Sequence, residues 1–334
     1  MWGMADEPWL TIIGLGEDGL NGLTDASRDA LARAEVVTGA ARHLALLPGL
    51  TAERRDWPVP FADGLAPLLA MRGRRVVMLA SGDPFWFGAG SVVIRSLAPG
   101  EWRVLPGVSC FSLAAARLGW PIEDTVVLAL HAAPLARIRP YLAPGRRVLA
   151  TLRDGEAVGN LAAYLTAAGF GDAMLTVLEA LGGPRERVRR VAAAEFDLAE
   201  VRHPVAVGVE PAGDGAVLSL ASGRADAWFD NDGQITKRPV RALALSALAP
   251  RPGETLWDIG AGSGSIAIEW LLAHPSLKAF GFEGSPDRAA RARENALRLG
   301  ADRLTVIDAT APEGLDRAPL PDAVFIGGGL SQTL

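Results

Sequence analysis

The sequence predicts an α/β protein in two units, and three observations carry that expectation. Within the first 120 residues a buried-strand pattern runs into a glycine-bearing turn and then a helical pattern three times over. The same succession returns in sharper form at residues 255–273. Between the two sets, residues 211–232 (PAGDGAVLSLASGRADAWFDND) hold Gly, Ala, Ser and Asp with no sustained period, the composition of a connecting segment. The expected organisation is a first domain over 8–210, a linker over 211–232 and a second domain over 233–334. A length of 334 residues makes two domains the prior.

In the first unit, Leu10 to Ile13 read as a strand, Gly14 to Gly19 as a glycine-rich turn containing Gly14 and Gly16, and the residues after Thr24 or Asp25 as a capped helix. Val76 to Gly88 repeat the logic, with a buried strand entering a Ser81-Gly82-Asp83-Pro84 turn. VLPGVSCFSLAAARLG does so again, with Ser109 placed to cap its helix. In such units sites are expected at the carboxyl ends of the strands.

The second unit carries the most specific signal. Thr255 to Gly260 form a short buried strand, and Gly260-Ala261-Gly262-Ser263-Gly264 opens directly into the helical run IAIEWLLA. Those glycines allow a sharp turn and leave backbone N–H groups bare at a helix N-terminus, a place for a carboxylate or phosphate. The dinucleotide fingerprint wants Gly or Ala where Ser265 stands, so the nicotinamide pattern fits less well. Asp258, two residues before the first glycine, would repel a pyrophosphate and suit a ligand with an ammonium and a sulfonium, which favours S-adenosylmethionine. Glu283, about 20 residues on at the end of LKAFGFE, can accept ribose hydroxyls in either case. A helix follows, with Ser285 as cap, Pro286 at its first position and Gly300 ending it. RLTVID and Pro321 to Gly329 then supply a third strand and a fourth with a glycine-rich exit.

Composition narrows the function. A net charge of −5 and the lack of a basic stripe argue against nucleic-acid and anionic-membrane partners. Cys110 is the only cysteine, so no intramolecular disulfide can form and a cytoplasmic location is expected. The N-terminal residues lack a signal-peptide pattern, and no apolar stretch is long enough for a membrane span. The sequence shows no Ser-His-Asp order, metal-ligand spacing or P-loop, so the expected metal content is none, and no general acid or base can be named.

Two resemblances sharpen these readings. The run DGQITKRPVRALALSALAPRPGETLWDIGAGSGSIAIEW resembles the start of the second domain of the precorrin-6Y C(5,15)-methyltransferase (decarboxylating) family. Gly14-Leu15-Gly16, Ser81 to Pro84 with Gly88, and Pro106-Gly107-Val108-Ser109 resemble, in order and spacing, the tetrapyrrole methylases. The fold class implied is α/β: a bilobal tetrapyrrole methylase domain, its second lobe starting near Asp124, followed by a Rossmann-like methyltransferase domain. The first resemblance implies a second-domain cofactor site of Thr236, Gly260 to Gly264, Glu283 and Ala311, with Lys237 or Arg238 meeting substrate carboxylate. The second implies first-domain cofactor contacts from Gly14, Gly16, Gly82, Asp83, Trp86, Ser109 and Cys110. His131 fits a structural histidine as well as a substrate contact; Ala132 and Ala133 stand where that family tends to have Gly-Arg, which leaves Arg137 or Arg139 to supply the missing contact. Thr310 stands where the family has Asp or another polar residue.

The implied activity is S-adenosylmethionine-dependent methylation of a polyanionic corrin precursor of the precorrin-6B type at carbons 5 and 15, with loss of the carbon-12 acetate carboxyl. The first domain would serve carbon 5 and the second carbon 15. Only four strands of an expected seven can be counted in the second domain, so it reads as truncated. Competing readings are methylation of another tetrapyrrole or of RNA, a carbon-5 methyltransferase with a silent second domain, a nicotinamide enzyme, and a non-catalytic cofactor-binding scaffold. The methylase resemblance also implies a homo-oligomer, a dimer.

Overall fold

LTIIGL has a single polar side chain in six residues, and the strand it forms, β1 (Leu10–Leu15), is buried along its whole length. Such a run suits a parallel sheet covered on both faces. The computed structural model describes residues 7–327. In it β1 joins β2 (Val36–Gly39), β3 (Glu53–Asp56), β4 (Val76–Ser81) and β5 (Trp102–Leu105) in a parallel sheet of order β3-β2-β4-β1-β5. The edge strand β3 is ERRD, fully exposed, and its charges discourage further strand addition.

Four helices accompany this sheet: α1 (Asp25–Arg33), α2 (Ala41–Ala45), α3 (Leu65–Leu69) and α4 (Gly90–Val93). Thr24, rather than Asp25, caps α1 by accepting from the Ser27 N–H at 3.2 Å. Helix α5 (Cys110–Leu118) begins as the sequence predicts, with Ser109 Oγ accepting from the Ser112 N–H at 3.0 Å.

A second sheet follows, of order β6-β7-β10-β8-β9: β6 (Val126–Ala129), β7 (Val148–Leu152), β8 (Met174–Glu179), β9 (Arg187–Ala192) and β10 (Val205–Glu210). Only β6 and β7 are parallel. Helix α6 (Gly155–Ala167) places Val158, Leu161 and Leu165 in the core of this lobe. The edge strand β9 (RVRRVA) alternates between half-buried and exposed positions over its first four residues, as a one-sided strand does.

Residues 211–232 contain one 3-10 turn, Asp226–Trp228, yet they are not slack. Leu218 and Phe229 are buried in the same core as Leu256, Ile268 and Trp270 of the C-terminal unit. A charged cluster fastens them from beneath. Glu269 in α8 (Ser265–Ala273) and Arg241 in α7 (Arg238–Leu248) are both 0 % exposed and 2.7 Å apart. Arg224 adds a bond to Glu269 at 3.3 Å, and Asp226 one to Arg241 at 2.9 Å. Buried charges persist only when matched in this way.

The third sheet is parallel, of order β13-β12-β11-β14: β11 (Thr255–Ile259), β12 (Lys278–Glu283), β13 (Leu304–Asp308) and β14 (Ala323–Ile326). The chain crosses from one side of β11 to the other between β13 and β14, so the strand order reverses beside β11, where an open α/β sheet forms its crevice. Helix α9 (Pro286–Arg298) returns β12 to β13. Ser285 holds its cap position without a side-chain bond, and Gly300, at φ 75°, follows its end. Glycine-rich residues 328 and 329, read from the sequence as the exit of the fourth strand, lie outside the described residues.

Candidate functional site

At the carboxyl end of β11 the backbone turns through Gly260 (φ 72°), Gly262 (φ 56°) and Gly264 (φ 74°). All three lie in the left-handed region, so the sequence spacing reflects a backbone requirement. The Gly262 N–H donates to Glu283 Oε2 at 2.8 Å and the Ser285 N–H to Glu283 Oε1 at 2.9 Å. Two backbone donors therefore fix the carboxylate at the tip of β12. Gln234 to Thr236, Gly260 to Ser263, Glu283, Thr310 and Ala311 surround a cavity of about 540 Å³, with Phe325 to Gly327 on the β14 side. That volume lies in the range of small-molecule sites. Among the described residues the Ser263 hydroxyl, in a residue 3 % exposed, has no hydrogen-bond partner, and buried polar groups are rarely left so. The free N–H groups expected from sequence are mostly engaged: Gly260 and Ala261 donate to the Phe282 carbonyl at 2.9 and 3.1 Å, Gly262 to Glu283, and Gly264 to the Ala261 carbonyl at 2.8 Å. A nucleoside with an amino-acid tail still fits an acid placed for ribose hydroxyls and an orphan hydroxyl beside it.

Asp258 corrects the charge reading made from sequence. It is 1 % exposed, and its Oδ2 accepts from the Ala267 N–H at 3.1 Å in the first turn of α8. Burial, the largest influence, pushes its carboxyl up to about 7, with the Glu283 charge adding to the effect. An acid on a central strand covered on both faces lies in the floor beneath the turn, and at neutral pH it is only partly ionised. Asp258 thus cannot be counted as a standing charge, and the preference for a cationic ligand must rest on other features.

Two expected substrate contacts behave differently from one another. Arg238 Nε donates to the Gly223 carbonyl at 2.8 Å, which ties it to the connecting segment. Lys237 is exposed at the cap of α7, next to the cavity-lining Thr236. Thr310 Oγ1 donates to Glu313 Oε2 at 2.9 Å, so the hydroxyl is used within its own turn.

In the N-terminal unit the three sequence-predicted turns meet. The Gly82 N–H donates to the Leu15 carbonyl and the Gly107 N–H to the Gly82 carbonyl, each at 3.0 Å. A side chain at Gly14 would lie 1.8 Å from the Gly82 oxygen and 2.3 Å from the Gly107 nitrogen. Only glycine permits that approach. Gly16 lies in the same turn, where a side chain would meet Asp18. Asp83 accepts from the Phe85 N–H at 2.8 Å, Trp86 packs on Phe111 at 5.3 Å, and Ser109 is used as the α5 cap. Burial pushes the Cys110 thiol up to about 11, so it is not a nucleophile at neutral pH.

The second lobe closes against these turns. A side chain at Gly183, in the β8–β9 turn, would lie 2.6 Å from Glu17 Cβ, immediately after Gly16. His131 stands exposed beyond β6, its Nδ1 3.0 Å from Thr151 Oγ1.

Arg137 and Arg139 are not available as the substitute contacts expected from sequence. Arg137 makes a forked pair with Asp302, Nε to Oδ1 at 2.8 Å and Nη2 to Oδ2 at 2.9 Å, which joins the second lobe to the C-terminal unit. Arg139 is buried, with its guanidinium 4.9 Å from the Trp228 ring centroid and donating to the Ala216 carbonyl. Both were read as substrate arginines because sequence cannot show that a second domain covers that face. Sequence reasoning did not name Glu17, Arg42, His43 and Arg185, which hydrogen bonds gather between the two lobes. Glu17 had a signal in its place inside the first glycine turn, and Arg185 in the GGPRERV turn, residues 182–188, which the methylase resemblance sets near the adenine; Arg42 and His43 had none.

Comparison with known proteins follows the same division. Residues 9–197 match the family model of tetrapyrrole (corrin/porphyrin) methylases, and residues 227–334 match a precorrin methyltransferase domain. A cobalt-precorrin-7 C(5)-methyltransferase of Salmonella typhimurium is 28% identical over 54% of this chain and 88% of its own length. A cobalt-precorrin-6B C(15)-methyltransferase (decarboxylating) of the same organism is 38% identical over 28% of this chain and 48% of its own length. A precorrin-6Y C(5,15)-methyltransferase (decarboxylating) of Sinorhizobium sp. is 52% identical over 97% of this chain and 79% of its own length. With both units matched in order and one relative aligned across nearly the whole chain, the protein belongs to the precorrin-6Y C(5,15)-methyltransferase (decarboxylating) family.

Proposed function

We propose that the chain carries out two S-adenosylmethionine-dependent methyl transfers to one corrin precursor of the precorrin-6B type. The N-terminal unit serves carbon 5; the C-terminal unit serves carbon 15 and removes carbon dioxide from the carbon-12 acetate, giving a precorrin-8 type product. One observation carries this reading: two separate glycine-turn sites on one chain, each in a part that resembles a protein named for one of the two transfers.

The sulfonium compound supplies an already activated methyl group, so the chain's own task is alignment. In the C-terminal unit Glu283, held by the Gly262 and Ser285 N–H groups, accepts the ribose hydroxyls. Gly260 to Ser263 line the seat of the amino-acid tail, with Gly264 shaping the turn behind them, and the Ser263 hydroxyl, unpartnered among the described residues, bonds the tail. Thr236 and Ala311 line the cavity walls, and exposed Lys237 stands where a ring carboxylate can reach it. In the N-terminal unit the donor lies among Gly14, Gly16, Gly82, Asp83, Trp86, Ser109 and Cys110, which the three-turn junction brings together. Meso carbons of a reduced corrin are enamine-like nucleophiles. Decarboxylation uses the conjugated ring as electron sink, and the chain's share is an apolar seat for the acetate.

The test is incubation with the corrin precursor and methyl-labelled S-adenosylmethionine, counting methyl groups and evolved carbon dioxide. Two methyls and one carbon dioxide per ring are expected. One methyl without carbon dioxide would restrict the activity to the N-terminal unit. No incorporation would overturn the proposal.

A further inference from the structure

Between the two lobes of the N-terminal unit, one carboxylate is shared by two guanidinium groups, one from each lobe. Glu17, in the turn after β1, is 9 % exposed. Its Oε1 accepts from Arg42 Nη1 of α2 at 2.6 Å, and its Oε2 from Arg185 Nη2 of the β8–β9 turn at 2.9 Å. Arg42 is further braced by donating its second terminal nitrogen to Ser81 Oγ, the residue before Gly82, and His43 Nε2 meets the same hydroxyl at 3.1 Å. Two cations and one anion leave the cluster one positive charge in excess. Both arginine side chains reach solvent, at 32 % and 57 % exposure, whereas the acid between them does not.

A structural ion pair needs one arginine. Here Glu17 takes one bond from each, so neither fork is satisfied by it in the bidentate manner that guanidinium and carboxylate favour. Among the described residues Arg185 makes no other side-chain hydrogen bond. The acid ties α2 of the first lobe to the β8–β9 turn of the second, with Arg42 bonded through both terminal nitrogens and Arg185 through one. The match to an incoming carboxylate is complete only when both lobes are in place, because one arginine belongs to each.

We propose that Arg42 and Arg185 form a carboxylate-receiving pair straddling the two lobes, with Glu17 as its positioning residue, and that the carboxylate it takes is a side arm of the tetrapyrrole. The proposal rests on the methyltransferase reading above. A carboxylate could also come from the aminoacyl tail of the methyl donor, and the experiment separates the two sources.

Equilibrium binding of the corrin precursor, followed by its visible absorbance, and binding of S-adenosylhomocysteine, followed by calorimetry, are measured for the full chain and for Arg185→Ala, Arg42→Lys and Glu17→Gln. Carbon-5 methyl transfer is assayed in parallel. Losing one charge-assisted contact predicts that Arg185→Ala weakens corrin binding and raises its KM about tenfold at unchanged kcat. S-adenosylhomocysteine affinity should stay within about twofold of the parent value. Because the effect is electrostatic, the rise of KM with added salt should be shallower in Arg185→Ala than in the parent. Arg42→Lys keeps the charge and loses the fork, so it should fall between the two.

Unchanged corrin affinity in Arg185→Ala and Arg42→Lys overturns the receiving pair. An equal loss of S-adenosylhomocysteine affinity assigns the carboxylate to the donor and overturns the side-arm claim. If Glu17→Gln lowers thermal stability while the salt response keeps the parent slope, the cluster is a structural clasp only. A parent chain that binds corrin saturably but transfers no methyl defeats the methyltransferase reading and still lets the pair be scored by binding.

Discussion

The two candidate sites differ in how they are assembled. The C-terminal one is drawn from residues 234–327 of a single sheet, and its defining parts, the glycine turn and Glu283, are successive features of one strand–helix–strand unit. The N-terminal one gathers turns at residues 14–17, 81–83, 107–110 and 183–185 from two sheets that share no strand. A site built locally can lose a piece and leave its neighbour intact, whereas one assembled from distant turns fails when any single approach is blocked. The comparison can be broken or sharpened by variants that strike one unit and read out both.

The largest effect is expected from Glu269→Ala. It strips the counter-charge from Arg224, almost fully buried, and one of the two from fully buried Arg241, which keeps only Asp226. Breaking a buried pair by removing one partner costs about 3–5 kcal/mol. The connecting segment and α7 are held by that carboxylate, so the C-terminal unit should melt early in calorimetry and carbon-15 transfer should vanish. Carbon-5 transfer should survive; its loss would show that the N-terminal unit depends on its neighbour for folding.

Gly14→Ala is the matching stroke on the other side. Its methyl group would sit 1.8 Å from the Gly82 oxygen, backbone against backbone, so the three-turn junction must open. Overpacking of this severity costs about 3 kcal/mol. Carbon-5 transfer should be lost with carbon-15 transfer retained, measured in the same reaction by the position of the label. Loss of both would contradict the separateness of the sites.

The contrast also explains what could be read from the chain beforehand. Gly260 to Gly264 and Glu283 were legible because φ > 0 at a strand end and an acid at the next strand tip are local requirements. The three-turn junction was legible in part, since each turn had its own glycines even though their meeting did not show. Arg42 gave no sign and Arg185 showed only as part of the GGPRERV turn: their meeting at Glu17 spans 143 positions of sequence and depends on the closure of two lobes. Arg137 and Arg139 were misread for the same reason, because Asp302 and Trp228 cover them only in three dimensions. Asp258 was correctly located but misread electrostatically, because sequence gives an acid its charge and burial takes much of it away.

Asp258 yields the third prediction. Burial raises its folded-state pKa to about 7 from an ordinary value of 3.8. Between those values the folded chain holds a proton that the unfolded chain has released, so stability falls as pH rises from about 4 to about 7 and then levels off. Asp258→Asn keeps an oxygen to accept from Ala267 and removes the titration. Its advantage over the parent should therefore be absent near pH 4 and fully developed above pH 7. The shift alone corresponds to a few kcal/mol, and the buried amide's unmatched donors offset part of it, leaving about 2 kcal/mol at pH 8. Denaturant unfolding at pH 5 and pH 8 checks this. Equal gains at both would mean that the acid is ionised throughout.

The smallest expected effect bears most directly on whether the two units act as one body. Arg137 and Asp302 form a forked pair between them, but the arginine is 39 % exposed and solvent screens the attraction. Pairs of this kind contribute about 0–1 kcal/mol, so Arg137→Ala should barely move either melting transition. Close packing persists beside it, where Gly300 lies against the Ala136 carbonyl and Pro140 so tightly that a side chain there would approach within 2.6 Å. Arg139 likewise stays wedged between Trp228 and Phe170. If packing rather than charge joins the units, Gly300→Ala should separate the transitions that Arg137→Ala leaves together, even after allowance for the strain of its positive φ. The reverse ranking would make the forked pair the coupling element, and the two sites would then share a hinge at residues 137 and 302.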